Sequence, residues 1–263
     1  MSSATITTSA RLMNSTPQTE EQAMVRKVAV SSFLGNFIEW FDYASYSYFA
    51  TTIALVFFPT DNHTVAMLQT FGVFALSFIL RPIGALFWGS YGDKKGRKAA
   101  LAHSIMFMSG ASFLIGCLPS YSVIGVGAPI LLLLLRMVQG FSASGEYAGA
   151  ATFLGEYAPT SKRGIYCSLI PAFTAIGLLA GSTLATLMTA NMNSSAMVGW
   201  GWRVPFLLAG PLGLIVLYIR AKLADSPVYQ SMNDALESKG AASADGQIAA
   251  KSGMFAPLAE LFH

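Results

Sequence analysis

Six long apolar segments, separated by short polar stretches, dominate the pattern of this chain. Each is long enough to cross a bilayer, because about 20 apolar residues span the hydrocarbon core. The composition agrees: 54% of the residues are hydrophobic and only 11% are charged, against roughly 25% charged in soluble domains. The pattern therefore predicts an all-α transmembrane bundle. The predicted spans are Val28 to Phe58, Val65 to Trp88, Ala99 to Leu118, Pro129 to Leu154, Gly164 to Ala190 and Val204 to Ile219.

The cations fall on one side of this predicted bundle. All 16 Lys and Arg residues except Arg81, Arg136 and Arg203 lie in the N-terminal tail, in every second loop or after the last span. Because positively charged loops stay in the cytoplasm, both ends of the chain are expected there. The net charge of +3 reflects this topology, and it does not indicate a nucleic-acid partner.

The two ends differ in composition from the spans between them. Residues 1–27 are rich in Ser and Thr, which predicts a disordered cytoplasmic tail before the six-helix bundle of residues 28–222. Residues 223–263 are polar and predict a cytoplasmic linker. The last residues, Pro257 to His263, resemble the start of a seventh helix, so we expect a chain truncated before that helix.

Five ionisable residues lie inside the predicted spans: Glu39, Asp42, Arg81, Arg136 and Glu146. Each costs about 2.5–3.5 kcal/mol at the centre of a membrane helix and is expected to face a partner inside the bundle. Depths estimated at about 1.5 Å per residue place Arg136 level with Asp42 and Arg81 level with Glu146. The sequence therefore predicts these two pairs, with Glu39 near mid-membrane as the least compensated acid.

The first span also carries a continuous polar stripe. At 100° per residue its polar side chains share one face, which is expected to line a water-accessible cavity for substrate and protons. The alternative is a static network of salt bridges that only holds helices together. No nucleophile–base pair, metal-ligand spacing or phosphate-binding motif stands out in the sequence, so neither an enzyme nor a metal or cofactor is expected. The stripe comprises Ser32, Asn36, Glu39, Asp42, Tyr43, Tyr46 and Ser47, and Gln139 lies one turn from Arg136.

The segment from Gly89 to Lys98 joins the second and third spans with four cations, one carboxylate and three glycines. We interpret it as a short, tightly turning cytoplasmic loop. Asp93 can lie against a helix N-terminus, and Arg97 can pair with Glu156 at the inner end of a neighbouring span. Contacts that form in one conformation and break in another would make Gly89, Asp93, Gly96, Arg97 and Glu156 a gate.

Several motifs in order resemble those of the major facilitator superfamily. The spacing Gly-x-x-x-Asp-x-x-Gly-Arg-Lys from Gly89 resembles the signature loop of that superfamily. Four further motifs resemble its metabolite:proton symporter family, within which the chain looks most like proline/betaine carriers, with dicarboxylate carriers close behind. These are Gly35-Asn-Phe-Ile-Glu-Trp-Phe-Asp-Tyr43, Arg81-Pro-Ile-Gly84, Arg136-Met-Val-Gln-Gly-Phe-Ser-Ala-Ser-Gly-Glu-Tyr147 and Gly201-Trp-Arg-Val-Pro-Phe206.

This resemblance implies the six-helix N-terminal half of a twelve-helix fold, built from two inverted three-helix repeats. It implies proton-coupled symport of a small metabolite or osmolyte, either proline/betaine or a di- or tricarboxylate, across the bacterial inner membrane by alternating access. The partners would be the substrate, protons, the lipid bilayer and the missing C-terminal half or a second copy. A homodimerising half-transporter and a non-transporting membrane sensor or binding protein remain the alternatives.

Overall fold

The computed structural model describes residues 17–223, with side chains from residue 25 onward. This part of the chain is helical, apart from short turns. The predicted linker and the start of a seventh helix lie outside the described residues. The helices are α1 (Pro17–Tyr48), α2 (Ala50–Phe57), α3 (His63–Ile79), α4 (Arg81–Lys95), α5 (Arg97–Cys117), α6 (Tyr121–Ile124), α7 (Gly127–Tyr157), α8 (Arg163–Asn191), α9 (Ser194–Ala196) and α10 (Arg203–Ala221), with a 3-10 turn at Thr160–Lys162 and a π-helical turn at Met197–Gly201.

These helices make six passes: α1 with α2, α3 with α4, then α5, α7, α8 and α10 in turn. Among the described residues, the five passes after the first are each long and apolar enough to span a membrane. The first pass is equally long but more polar, since it carries Glu39 and Asp42. Both acids are buried against other helices, so the bundle shields these two carboxylates from the lipid.

The packing has the symmetry of two inverted three-helix repeats. The first pass packs extensively on α8, and its counterpart α7 packs on α3 and α4. In the same way α5 contacts α7, α10 contacts α1, and α5 packs on α10. Exchanging passes one to three with passes four to six therefore reproduces these main contacts, with the direction of each pass reversed.

Close packing of α8 on α1 depends on the two glycines that the sequence places four residues apart. A Cβ at Gly177 would lie 2.8 Å from the Phe37 carbonyl oxygen, and one at Gly181 would lie 2.6 Å from the Ala44 Cβ. Small residues at this spacing let helix backbones approach in membranes. Gly177 and Gly181 therefore allow α8 to pack closely on α1.

One end of the bundle holds the start of α1, the α4–α5 turn, the start of α8 and the end of α10. We call it the basic end because Lys94, Lys95, Lys162 and Arg163 lie there. At the opposite end a buried aromatic cluster closes the bundle, with the rings of Phe57 and Trp202 5.3 Å apart. Buried polar and charged side chains, among them Glu39, Asp42, Arg136 and Glu146, lie between the two ends.

Two local expectations need correction. Helix α1 already begins at Pro17, so the later part of the predicted tail is helical, while residues 1–16 lie outside the described residues. The segment Gly89 to Lys98 is also helical, because α4 continues to Lys95 and α5 begins at Arg97. Gly96 alone makes the turn, with a φ of 95° that side-chain-bearing residues rarely adopt.

Candidate functional site

Arg136 and Asp42 form an ion pair in the interior of the bundle, which we call the central pair. The Arg136 Nη1 lies 2.7 Å from the Asp42 Oδ2, and both side chains are buried. Gln139 donates to the other carboxylate oxygen at 3.1 Å. The Arg136 guanidinium also lies 3.8 Å from the centre of the Tyr46 ring, a cation–π contact that adds to the stabilisation of a desolvated charge. The pairing predicted from helix depth is confirmed.

Arg81 binds Glu39, and we call these two residues the lateral pair. The Arg81 Nη2 lies 2.5 Å from both the Glu39 Oε1 and the Tyr43 hydroxyl. The Arg81 side chain is 25% exposed, whereas Glu39 is buried. The predicted pairing of Arg81 with Glu146 is therefore wrong, and Glu39 is not the uncompensated acid that the depth estimate suggested.

Glu146 instead binds Arg220, a residue that the sequence pattern assigned to the cytoplasmic surface. Both are buried, and this inner pair is bidentate, with Nη1–Oε1 at 2.7 Å and Nη2–Oε2 at 2.8 Å. Ser104 adds a third donor to Glu146 at 2.5 Å. The remaining donors of Arg220 bind Ser31 on α1 and the Leu101 carbonyl on α5. The inner pair thus ties four helices together near the basic end.

The three pairs differ in how completely their polar atoms are bonded. Within the described part of the chain, Arg136 Nε and Nη2, Arg81 Nε, Glu39 Oε2 and Gln139 Oε1 are buried without a hydrogen-bond partner. No atom of Arg220 or Glu146 is in this state, although single polar atoms of other residues are: Ser32, Asn36, Trp40, Ser142, Glu156 and Trp202. Unbonded buried polar atoms are unfavourable, so the central and lateral pairs retain the capacity to bind a further group.

The remaining stripe residues also lie inside the bundle, except Ser47, which is exposed. Asn36 donates to the Ile170 carbonyl and to Thr174, and the Tyr46 hydroxyl donates to the Thr70 carbonyl at 2.9 Å. Gln139 additionally donates to Ser112. The stripe therefore joins α1 to α3, α7 and α8, and the central and lateral pairs lie along it.

At the basic end, Arg97 contacts two of the other residues that were expected to form a gate, Asp93 and Glu156. It lies 2.9 Å from Asp93 and 3.9 Å from Glu156. Asp93 is in the last turns of α4 and Arg97 is the first residue of α5, so the first contact connects the two sides of the Gly96 turn. The second contact reaches the end of α7. Gly89, inside α4, has open space where a side chain would be.

Two apolar grooves on the outside of the bundle contain no comparable set of charges. The larger, about 560 Å³, is lined by aromatic and aliphatic residues, most of them on α4, α5 and α7, and includes His103. His103 bonds the Ala99 carbonyl at 2.8 Å and lies 3.4 Å from the Tyr91 hydroxyl. Among residues 25–223, no group of three His, Cys, Asp or Glu side chains could hold a metal ion.

Comparison with known proteins places the chain among transporters. Residues 27–253 match the family described as sugar (and other) transporter. Over 217 residues the chain is 42% identical to the proline/betaine transporters of Salmonella typhimurium and Escherichia coli K12, covering 82% of this chain and 43% of each relative. The glycine betaine/proline/ectoine/pipecolic acid transporter of Dickeya dadantii is equally similar over the same shares. The chain thus spans less than half the length of these relatives.

Solved structures show the same fold. The proton:xylose symporter XylE bound to 6-bromo-6-deoxy-D-glucose superposes with a TM-score of 0.73 at 16% identity, over 85% of this chain and 50% of XylE. A partially occluded inward-open XylE from E. coli gives 0.73 at 17% identity, over 81% and 53%. The six passes therefore have the fold of the N-terminal half of a twelve-helix transporter.

Proposed function

Because the chain belongs to the sugar (and other) transporter family of the major facilitator superfamily, we propose that it forms one half of a proton-coupled symporter. In this proposal the protein is in the inner membrane with both ends and the basic end in the cytoplasm. The second half, either a C-terminal segment or a second copy, faces the polar stripe, and substrate crosses between the halves by alternating access.

The observation that supports this proposal is the set of unbonded polar atoms around two otherwise paired charges. Arg136 offers two free nitrogens beside Asp42, and Glu39 offers a free carboxylate oxygen beside Arg81. A purely structural network is expected to satisfy its buried donors and acceptors, as the inner pair does. Unbonded donors and acceptors in the middle of the bundle suit the reversible binding of a substrate and a proton.

We assign a zwitterion, such as betaine or proline, as the substrate. The central and lateral pairs together contain two guanidinium groups and two carboxylates, so their formal charges cancel. A substrate without net charge fits this balance, whereas a dicarboxylate would bring two uncompensated negative charges into a desolvated site. The names of the similar transporters, which include proline, glycine betaine, ectoine and pipecolic acid, agree with this assignment.

The lateral pair supplies a binding mode for both charges of such a molecule. The Arg81 guanidinium lies 4.7 Å from the centre of the Phe78 ring and 5.1 Å from that of Tyr43. Aromatic faces that bind a guanidinium also bind substituted ammonium groups. In the proposed complex, Arg81 turns toward the substrate carboxylate and the ammonium takes its place over the rings.

The proposed proton coupling depends on the contact between Glu39 and Arg81. Glu39 holds Arg81 only while its carboxylate is charged, because protonation removes the negative charge that the guanidinium binds. A proton on Glu39 therefore releases Arg81 for the substrate carboxylate, and loss of the proton restores the ion pair and expels the substrate. Asp42, held by Arg136 and Gln139, keeps Arg136 in position during this cycle.

The test uses a chimera in which residues 25–223 replace the matching half of the E. coli proline/betaine transporter, reconstituted in proteoliposomes. We expect uptake of labelled betaine that accelerates when an inward proton gradient is imposed. Glu39→Gln, which keeps the shape but cannot carry the charge, is expected to abolish this acceleration while betaine exchange between the two sides continues. The exposed acid Asp61 provides the matched control, Asp61→Asn.

Two results would contradict the proposal. An unchanged response of Glu39→Gln to the proton gradient would remove Glu39 from coupling. Uptake of 2-oxoglutarate in preference to betaine would overturn the assignment of a zwitterion. Proteoliposomes that contain this chain alone complete the experiment, because saturable uptake there would identify a second copy as the other half.

A further inference from the structure

A basic groove lies at the basic end of the bundle, between the start of α1 and the end of α10. Its volume is about 360 Å³, close to the lower limit of sites that hold small ligands. It is far along α1 from the central and lateral pairs and is separate from the proposed transport path. Its lining includes Arg26, Lys27 and Lys222, together with Val30, Tyr218 and Leu223.

The groove concentrates positive charge. Three of its lining side chains are cationic and exposed, and none of the described side chains that line it is a carboxylate. Lys222 is held at the rim, with its Nζ 4.4 Å from the centre of the Tyr218 ring. This contrasts with the bundle interior, where each of the three buried pairs matches a guanidinium to an acid. The groove therefore favours an anion.

The wall below the cations is apolar and faces outward. Val30 and Tyr218 are 42% and 61% exposed, and Leu214, one turn further along α10 toward the middle of the bundle, is 68% exposed. Tyrosine is enriched at the depth of lipid headgroups, with its hydroxyl toward water and its ring toward the acyl chains. Cations at the rim above an apolar wall match the two parts of a lipid: a charged headgroup and its hydrocarbon chain.

We propose that this groove binds an anionic phospholipid of the adjacent leaflet. The phosphate lies among Arg26, Lys27 and Lys222, and one acyl chain runs along Val30, Tyr218 and Leu214. Basic pockets between membrane helices at the headgroup level bind such lipids in this way. Because the lipid contacts both the first and the last pass, its binding fastens α1 to α10 at the membrane surface.

The test measures lipid binding to the purified full chain in neutral detergent by native mass spectrometry. Dioleoyl phosphatidylglycerol is the probe, and dioleoyl phosphatidylcholine, with the same acyl chains, is the zwitterionic control. We expect one saturable phosphatidylglycerol site and no equivalent phosphatidylcholine site. The triple variant Arg26→Gln, Lys27→Gln, Lys222→Gln is expected to bind phosphatidylglycerol on the order of 100-fold more weakly, from the contribution of each cation near a charged lipid.

The matched control is Lys162→Gln with Arg163→Gln, which removes exposed cations at the same end of the bundle but outside the groove. It is expected to bind like the unmodified chain. An equal loss in this control would show only diffuse attraction, and equal binding of phosphatidylcholine would show an apolar groove without headgroup recognition. Displacement of the lipid by millimolar inorganic phosphate would indicate a site for free anions. Each of these results would overturn the proposal.

The segment after Leu223 is the competing occupant, and an amine-reactive cross-linker distinguishes it. A lipid in the groove is expected to reduce cross-linking between Lys27 and Lys239 as phosphatidylglycerol is added. A Lys27–Lys239 cross-link whose yield does not change with added lipid would assign the groove to that segment and overturn the proposal.

Discussion

The inner pair and the central pair are both buried arginine–carboxylate contacts, yet they are built differently. Arg220 donates to both oxygens of Glu146, its Nε donates to Ser31 on α1, and its Nη1 also donates to the Leu101 carbonyl on α5. Arg136 donates to Asp42 through one nitrogen, while its Nε and Nη2 have no partner in the described part of the chain. The first pair is saturated, and the second is not.

This difference separates a structural contact from a binding one. A buried charge is tolerable when hydrogen bonds replace the water it has lost. In the inner pair the protein alone supplies all of these bonds, which leaves nothing for a ligand to add. In the central pair, the missing bonds can be supplied by a substrate or by water in one conformation and withdrawn in another. Equal burial therefore does not imply equal function.

The largest expected effect comes from breaking the saturated pair. Arg220→Met keeps the volume of the side chain but leaves Glu146 buried without its cation, which is expected to lower the free energy of unfolding by about 3–5 kcal/mol. The measurement is the unfolding midpoint in mixed micelles of neutral detergent and dodecyl sulfate. Arg220→Met combined with Glu146→Leu is expected to recover much of the loss, because no unpaired charge remains. A double variant as unstable as Arg220→Met would contradict the interpretation as a charge pair.

The central pair should show a smaller change in stability and a larger one in transport. Arg136→Ala leaves Asp42 with Gln139 as a remaining donor, so we expect a loss of about 1–3 kcal/mol. Adding Asp42→Asn should restore stability by a coupling of about 0.5–3 kcal/mol, without restoring betaine uptake in the chimera. Strictly additive losses of stability would show that the two side chains do not interact, and uptake by the double variant would exclude Arg136 from substrate binding.

The helical fold and its approximate boundaries could be predicted from the sequence, because a bilayer permits few structures for six long apolar segments. The Arg136–Asp42 contact could also be predicted from depth. The lateral pair was missed because the depths of Glu39 and Arg81 were not compared across the turn that joins their two passes. Counted from that turn, Glu39 lies 18 residues before Phe57 and Arg81 lies 18 residues after His63, so the two are at the same depth. The shared turn is the better reference for consecutive antiparallel helices.

Arg220 was missed for a different reason. A cation in the last turn of a membrane helix normally reaches toward the surface, where it also complements the helix dipole. The orientation of Arg220 depends on α10 packing against α1 and α5, which sequence periodicity does not describe. One signal was available: Glu146 lacked an assigned cation once Arg81 was paired elsewhere. Arg220 fits beside α1 because Gly35 has no side chain there. A hydrophobicity pattern does not predict this space either.

Gly35 gives the smallest expected effect, and it tests whether the saturated pair is also tightly packed. A Cβ at this position would overlap the Arg220 Nη2 and the Glu146 Oε2. Both atoms are the ends of flexible side chains, but their mutual hydrogen bonds restrain them. We therefore expect Gly35→Ala to lower the free energy of unfolding by about 1 kcal/mol, at the lower end of the range for overpacking.

The control for this change is Gly110→Ala on α5, where no atom lies within 4 Å of the added Cβ. Alanine favours a helix over glycine by about 0.5–1 kcal/mol, so Gly110→Ala is expected to be neutral or stabilising. In the Arg220→Met, Glu146→Leu background, Gly35→Ala should lose most of its effect, because the hydrogen bonds that restrain the neighbouring atoms are gone. If Gly35→Ala were as harmless as Gly110→Ala in the unmodified chain, the inner pair would have room to move, and saturation of its hydrogen bonds would not imply rigidity.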